Sequence, residues 1–359
     1  MNKAMNKAVQ TAVVGVTGYA GAELARLLLH HPLLQGVPPV FAGRVEDKDL
    51  ARGGVPLTEI HPQLAGSHGA DDLKQEPFSW ELMRERGVEV LFLATPHELS
   101  RELAPEALEQ GLRVIDLSGA WRLTEPEDRA VYAFEDEGTQ QALATQQQAV
   151  YGAPELHRKC IAGAKLVANP GCYATSVILA VKPLVAAGLV DLHHGIVADA
   201  KSGVSGAGKA ATAKTHFMYA ADNLSAYGVF SHRHTGELLE QIGLEREEII
   251  FTPHLLPIPR GILSTIYVRF KEAQTRESVT KVYEEFFAGS PMVRFYKNGL
   301  PQIQYSVRTN YSDIGFELDA SGRQAVIVSC LDNLLKGAAG QAVQNLNVMQ
   351  GWPESEGLE

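Results

Sequence analysis

The stretch "AVVGVTGYAGAELARLLLHHP" restricts the possible folds more than any other part of this chain. It reads as a short apolar strand over 12–16, a glycine-rich turn, and a helix from about Ala22 that must stop before Pro32. A second strand follows at "PPVFAGR", which completes one βαβ-sized unit. The pattern then repeats: a strand over 88–94, a helix to about Gln110, and a strand over 113–117. Strands alternating with helices of this length require a parallel sheet covered on both faces.

The glycines of the turn are Gly15, Gly18 and Gly21, a G-x-x-G-x-x-G spacing rather than the commoner G-x-G-x-x-G. Glycines let a backbone approach a pyrophosphate, and a helix N-terminus offers N–H donors to its charge. Ligands of such sheets bind off the carboxyl ends of the strands. Thr95 and Pro96 in one loop, and Ser118 and Gly119 in another, are therefore expected to face a dinucleotide. His97 opens a helix there, and its reading is structural. The second strand ends "VFAGRVEDKD", so Arg44 precedes the acidic Glu46 and Asp47. An arginine fork suits a 2′-phosphate, which favours NADP(H) over NAD.

In the second half, "NPGCYAT" places Cys172 directly after Pro-Gly, where a strand-like run gives way to a helix-like one. The unpaired N–H groups of a first helical turn favour thiolate over thiol, so the position suits a nucleophile. A buried, inert thiol is the competing reading of the residue alone. The loop "KSGVSGAGK", with Ser202 and Lys209, is either a flexible connection or a receptor for an anionic group. "HRHTGE" supplies His232, His234 and Glu237, the last two spaced to share one helical face. In "PHLLPIPRG", Arg260 either grips a carboxylate or phosphate or stands as a surface cation. Cys330 sits in an apolar strand and reads as core, and Cys160 as an incidental surface thiol.

Composition sets the outer limits. A chain of 359 residues exceeds one typical core, so two domains are expected. A formal net charge of -10 argues against nucleic-acid or anionic-membrane binding. Three scattered cysteines make neither a disulfide framework nor a Cys-rich metal site, and no third ligand accompanies the two histidines; no metal is expected. "MNKAMNKAVQ" has no apolar core of a secretory signal, and no run is long enough to span a membrane. A soluble, cytoplasmic protein is expected.

Eight motifs in order, "GVTGYAGAELARLL", "IDLSGAWRL", "YGAPEL", "NPGCYAT", "KSGVSGAGK", "HRHTGE", "PHLLPIPRG" and "DNLLKGAAGQAVQN", span nearly the whole chain. Together they resemble the N-acetyl-gamma-glutamyl-phosphate reductase family of the aspartate-semialdehyde dehydrogenase-like group. Two positions depart from the family pattern: Ala120-Trp121 replaces an acidic-aromatic pair, and Gly236 stands where proline is commoner.

The resemblance implies an α/β architecture: a Rossmann-type doubly wound cofactor domain over 1–168, with a C-terminal helix over 333–350 packing back onto it. An α+β catalytic and dimerisation domain over 169–332 follows. It implies NADPH-dependent reduction of an acyl phosphate, in arginine biosynthesis, through a thioester on Cys172. A histidine of "HRHTGE" is the acid/base, His232 being favoured, with Glu237 holding the segment. The turn residues Gly15, Thr17, Gly18, Tyr19, Ala20 and Gly21, together with Asn333, are expected at the cofactor, and Asn169, Ser202, Lys209 and Arg260 at the substrate. A homodimer or homotetramer is implied. The rival readings are a reductase of carrier-linked aminoadipyl phosphate or aspartyl phosphate, and a non-catalytic NADP-binding regulator.

Overall fold

The computed structural model describes residues 9–359. The segment read above as lacking a leader lies largely outside the described residues. The chain divides into two compact units. The first takes residues up to Arg122, Glu135–Asn169 and Ala339–Glu359; the second takes Leu123–Phe134 and Pro170–Ala338.

The first unit is built on an eight-stranded sheet with strand order β3-β4-β2-β1-β5-β6-β8-β7. Its strands are β1 (Thr11–Val14), β2 (Val40–Gly43), β3 (Val55–Pro56), β4 (Lys74–Pro77), β5 (Val90–Leu93), β6 (Arg113–Asp116), β7 (Ala149–Tyr151) and β8 (Leu166–Ala168). All pairings are parallel except that of β3 with β4. β1 and β5 are buried at every position. That is why they read as continuous apolar runs rather than alternating ones.

Helix α1 (Tyr19–His30) follows β1 and ends before Pro32, while α2 (His97–Glu109) follows β5. α1 begins at Tyr19, three residues before the start expected from sequence, so Gly21 lies inside its first turn. The C-terminal stretch expected as one helix is divided. Leu335–Ala339 forms a π-helical turn that falls largely in the second unit, and α-helix Gly340–Gln350 packs in the first, against α1.

The second unit holds a mixed seven-stranded sheet of order β10-β11-β9-β12-β15-β14-β13. These are β9 (Ile196–Gly203), β10 (Ser225–Ala226), β11 (Ile249–Leu256), β12 (Ile262–Arg269), β13 (Val293–Tyr296), β14 (Ser312–Leu318) and β15 (Gln324–Leu331). One face, with Ile196, Ala198, Phe251, Ile266 and Ile327, is buried. Helix α3 (Cys172–Ala186) packs on β12 and β15, and α4 (Thr235–Ile242) packs on α3. α3 is apolar almost all round, as a helix enclosed by its neighbours must be.

Leu123–Phe134 joins this second unit, contrary to the single boundary near residue 168 expected from sequence. The Glu240 carboxylate draws it there by accepting the N–H groups of Thr124 and Glu125 and the Thr124 hydroxyl. An Asp128–Arg246 ion pair adds to the hold.

Candidate active site

In the first unit, the turn after β1 is shaped by two glycines. Gly15 has φ +95°, and a Cβ there would strike the backbone of Ala94; a Cβ at Gly21 would strike Gly15 and Val16. Gly18 has only one atom near the place a Cβ would take, at 3.9 Å. Gly18 caps α1 without a side-chain hydrogen bond, and no acidic residue lies in the first turn. The N–H groups of that turn, from Tyr19, Ala20 and Gly21, therefore form a cradle with the donor chemistry and room for a pyrophosphate. The residues present fit a dinucleotide.

The flanking loops are braced from below. Buried Asp116 accepts the Ser118 N–H at 3.0 Å, the Ser118 hydroxyl at 2.8 Å and the Ser100 hydroxyl at 2.9 Å. Burial pushes its carboxyl up, and these donors pull it back. Thr95 joins the chain through Ser100 at 2.7 Å, and the Gly119 N–H donates to His97 Nδ1 at 2.8 Å. His97 thus ties the Thr95–Pro96 loop to the Ser118–Gly119 loop, the structural part read for it from sequence. Arg44 is exposed just beyond β2, its carbonyl held by Gln75. Trp121, one of the departures from the family pattern, is buried with Arg101 stacked over its ring.

In the second unit, Cys172 is the first residue of α3, after the N-cap Gly171. Gly171 has no side chain to cap this end, and no acid lies in the helix's own first turn. The N-terminal N–H groups favour thiolate over thiol at such a position. Glu237, fully buried on α4, accepts the Gly171 N–H through Oε2 at 2.9 Å. Its Oε1 lies 4.0 Å from His234 Nε2. A Cβ at Gly171 would collide with both His234 and Glu237. The Pro-Gly-Cys sequence thus has a steric reason: only glycine lets this pair close on the backbone beside Cys172. Gly171 was not singled out from sequence, although Pro-Gly-Cys was its signal. Gly236 has a similar cause, since Leu123 and Asp128 crowd the place of any side chain.

His232 occupies a different environment. Its ring stands edge-on to Tyr173, Tyr227 and Phe251, and its Nδ1 accepts the His234 N–H at 3.1 Å. Burial first, and Arg233 second, lower its pKa to about 4. A neutral ring accepting at Nδ1 carries its proton on Nε2. Tyr173 donates to the His254 carbonyl at 2.6 Å.

Of the expected substrate residues, Arg260 is 19% exposed and held by the fully buried Asp332 at 3.1 Å. Lys209 is exposed in the glycine-rich loop; Ser202 is buried beneath it. Asn169 lies at the end of β8. It is fully buried, and its side-chain carbonyl accepts from Asn345 at 3.0 Å. Asn333, expected at the cofactor, is also turned inward. It accepts the Gly261 N–H at 2.8 Å and donates to Ser205 at 2.8 Å. Cys330 is fully buried, which raises its pKa to about 12, and Cys160 is exposed. Among the described residues no His/Cys/Asp/Glu group is placed to hold a metal ion, and no helix is long and apolar enough to cross a membrane.

A turn fitted to a pyrophosphate in one unit, and a helix-terminal cysteine with a histidine–carboxylate pair in the other, are features of a dinucleotide-dependent oxidoreductase. Residues 10–164 match the semialdehyde dehydrogenase NAD binding domain and 172–333 the semialdehyde dehydrogenase dimerisation domain. The chain is 42% identical to N-acetyl-gamma-glutamyl-phosphate reductase of Methanococcus maripaludis over 97% of both chains. It is likewise 42% identical to the enzyme of that name from Dehalococcoides mccartyi over 98% of both. In fold it is similar to aspartate semialdehyde dehydrogenase II of Vibrio cholerae, with TM-score 0.69 at 18% identity, covering 96% of this chain and 98% of that one. The chain belongs to the semialdehyde dehydrogenase family, among the N-acetyl-gamma-glutamyl-phosphate reductases.

Proposed function

We infer that the chain reduces N-acetyl-gamma-glutamyl phosphate to N-acetylglutamate 5-semialdehyde and phosphate, with NADPH. The observation that carries the chemistry is Cys172 as the first residue of a helix, with Glu237 and His234 closed on Gly171 just before it.

The Cys172 thiolate attacks the acyl carbonyl, the bond from carbon to the phosphate oxygen breaks, and a thioester remains on Sγ. The leaving phosphate takes one proton, which the His234–Glu237 pair is placed to give. His232, held neutral with its proton on Nε2, donates to the carbonyl oxygen as negative charge develops there. The first-turn N–H groups of α3 reinforce it. The cofactor, when bound through the glycine turn and Arg44, supplies a hydride to the thioester carbon. Collapse of the resulting oxyanion breaks the C–S bond, frees the aldehyde and returns the thiolate. This reading divides the work between two histidines, where the sequence favoured His232 alone as the base.

The second sheet supports self-association. Val197, Ile250 and Tyr267 point from its open face with exposures of 37, 44 and 46%. A second copy of the chain is the partner proposed for that face, and a catalytic thiol suits a reducing cytoplasm.

Oxidation of N-acetylglutamate 5-semialdehyde with NADP, dependent on inorganic phosphate, tests substrate, cofactor and reaction together. Phosphate-dependent NADPH formation is expected. Turnover of aspartate semialdehyde in its place would overturn the substrate assignment.

A further inference from the structure

The Asp332-Asn333 pair lies between β15 and the π-helical turn. Asp332 is fully buried and makes an unusual number of attachments for one carboxylate. Oδ1 accepts from Arg260 through Nε at 3.3 Å and through a terminal nitrogen at 3.1 Å, and also takes the N–H groups of Leu334 and Leu335. Oδ2 accepts the N–H of Arg308, a residue in the left-handed region at φ +66°, at 2.7 Å. The Asp332 carbonyl receives the Gly337 N–H at 2.9 Å.

Gly337 is where this turn meets the nucleophile. A Cβ at Gly337 would stand 2.7 Å from the Cβ of Cys172, closer than any side chain tolerates. Asn333 extends the same bracket to the Gly261 N–H and to Ser205 in the glycine-rich loop. One buried dipeptide thus fixes the guanidinium of Arg260, the loop that carries Ser205, and the turn packed on Cys172. π-turns inside helices recur at functional sites, and here the turn brings a backbone carrying no side chain against the thiol.

We propose that Asp332 is a positioning residue for the anionic substrate: through Arg260 it sets where the phosphate or carboxylate is held relative to Cys172. This deepens the proposed reaction and rests on it. A buried carboxylate aligns a guanidinium fork more firmly than a neutral amide does. Asp332→Asn keeps the shape and one accepting oxygen, enough for the Leu334 and Leu335 N–H groups but not also for that of Arg308, and removes the charge that orients Arg260.

The test is oxidation in the phosphate-dependent direction, comparing parent, Asp332→Asn, Arg260→Lys and the double variant, each checked for a parent-like circular dichroism spectrum and melting transition. Asp332→Asn is expected to raise KM for phosphate or the semialdehyde at least tenfold and leave KM for NADP within twofold. The double variant should be no worse than Arg260→Lys alone. Additive losses, or equal losses in every KM, would overturn the inference. Should Asp332→Asn not fold, Arg260→Lys against Asp332→Glu gives the same comparison with the charge retained. A parent that fails to turn over this substrate rejects the reaction instead. The rate at which iodoacetamide alkylates Cys172, and its slowing by added phosphate, still reads the positioning without turnover: phosphate should protect the parent and protect Asp332→Asn at least tenfold less well.

Discussion

Glu237 holds the backbone of Gly171: Oε2 accepts the Gly171 N–H at 2.9 Å, one residue before Cys172. The carboxylate therefore fixes where α3 begins, and through Oε1 it faces His234. Glu237→Gln preserves an acceptor and removes the charge, so kcat should fall at least tenfold while KM for NADPH stays unchanged. Glu237→Ala leaves a buried N–H unsatisfied and should also cost roughly 1–3 kcal/mol of stability by urea titration. Gly171→Ala should displace the His234 ring and reduce kcat by about 10² or more, the scale of a lost acid/base group. Full activity in Gly171→Ala would remove the steric argument.

The two histidines should separate in their kinetics. The His232 pKa lies near 4, so the ring stays neutral from alkaline pH down to about 5 and cannot cause a limb of the rate profile near neutrality. His232→Asn should lower kcat/KM and leave the shape of the profile unchanged. His234→Asn should lower kcat by the factor of about 10² to 10⁴ that goes with a lost acid/base group. Rate profiles from pH 5 to 9 for both variants check this. A shifted limb in His232→Asn alone would return the proton to His232.

Cys172→Ser should abolish turnover and leave cofactor binding almost unaltered, because a hydroxyl is not appreciably ionised in the same field. Cys160→Ser should be fully active, since that thiol is exposed and away from any helix start. Cys330→Ala removes a buried thiol from β15 and should cost about 1 kcal/mol in stability without changing the chemistry. Mass spectrometry after brief iodoacetamide treatment should find Cys172 modified faster than Cys160.

What could be read from the chain depended on how local the physics is. The parallel sheet was legible because β1 and β5, buried on both faces, must be apolar throughout. The place of Cys172 at a helix start was legible because the Pro-Gly that ends the preceding run is its neighbour in sequence. The place of Leu123–Phe134 was not. It is set by Glu240 and Arg246, more than a hundred residues away. The hydrogen bonds that Asn169 and Asn333, expected at the substrate and at the cofactor, make within the protein were not legible either. Their partners, Asn345 for one and Gly261 with Ser205 for the other, are brought up by the fold alone.

His31 makes the first unit sensitive to acid. It is fully buried, its Nε2 donates to Asn347 Oδ1 at 2.9 Å, and its Nδ1 accepts the Leu33 N–H at 3.3 Å, a pairing only the neutral ring can make. Asn347 in turn donates to the carbonyls of Glu354 and Glu356, which pins the C-terminal segment. Burial lowers the His31 pKa below 6.5, so its contribution is complete above that pH and is lost as pH falls from 6.5 toward the folded-state value. His31→Gln should lose about 1–2 kcal/mol at pH 8 and show a shallower decline between pH 7 and 5 than the parent, by urea titration. Parallel declines would mean that other groups govern the acid sensitivity.

The last prediction concerns the cofactor's phosphate. An NAD-specific site of this type places Asp or Glu at the end of the second strand, where it binds the ribose 2′-hydroxyl and repels a 2′-phosphate. Here β2 ends at Gly43 and the next residue is Arg44, exposed, with its carbonyl fixed by the Gln75 amide at 2.9 Å. The following acid, Glu46, is paired with Lys48 at 2.9 Å, which offsets its repulsion of a second anion. An arginine anchored at its backbone and free to sweep its fork over the strand end meets a phosphate with charge-assisted donors, each contributing roughly 1.5–3 kcal/mol when formed. The parent should therefore prefer NADPH in kcat/KM, and Arg44→Ala should lose about tenfold or more with NADPH while keeping its rate with NADH. Raising salt from 50 to 500 mM should narrow the parent's preference and leave that of Arg44→Ala nearly constant, because an exposed charge contact is screened. If both cofactors suffer alike in Arg44→Ala, or neither does, the preference arises in the glycine turn and Arg44 is only a surface cation.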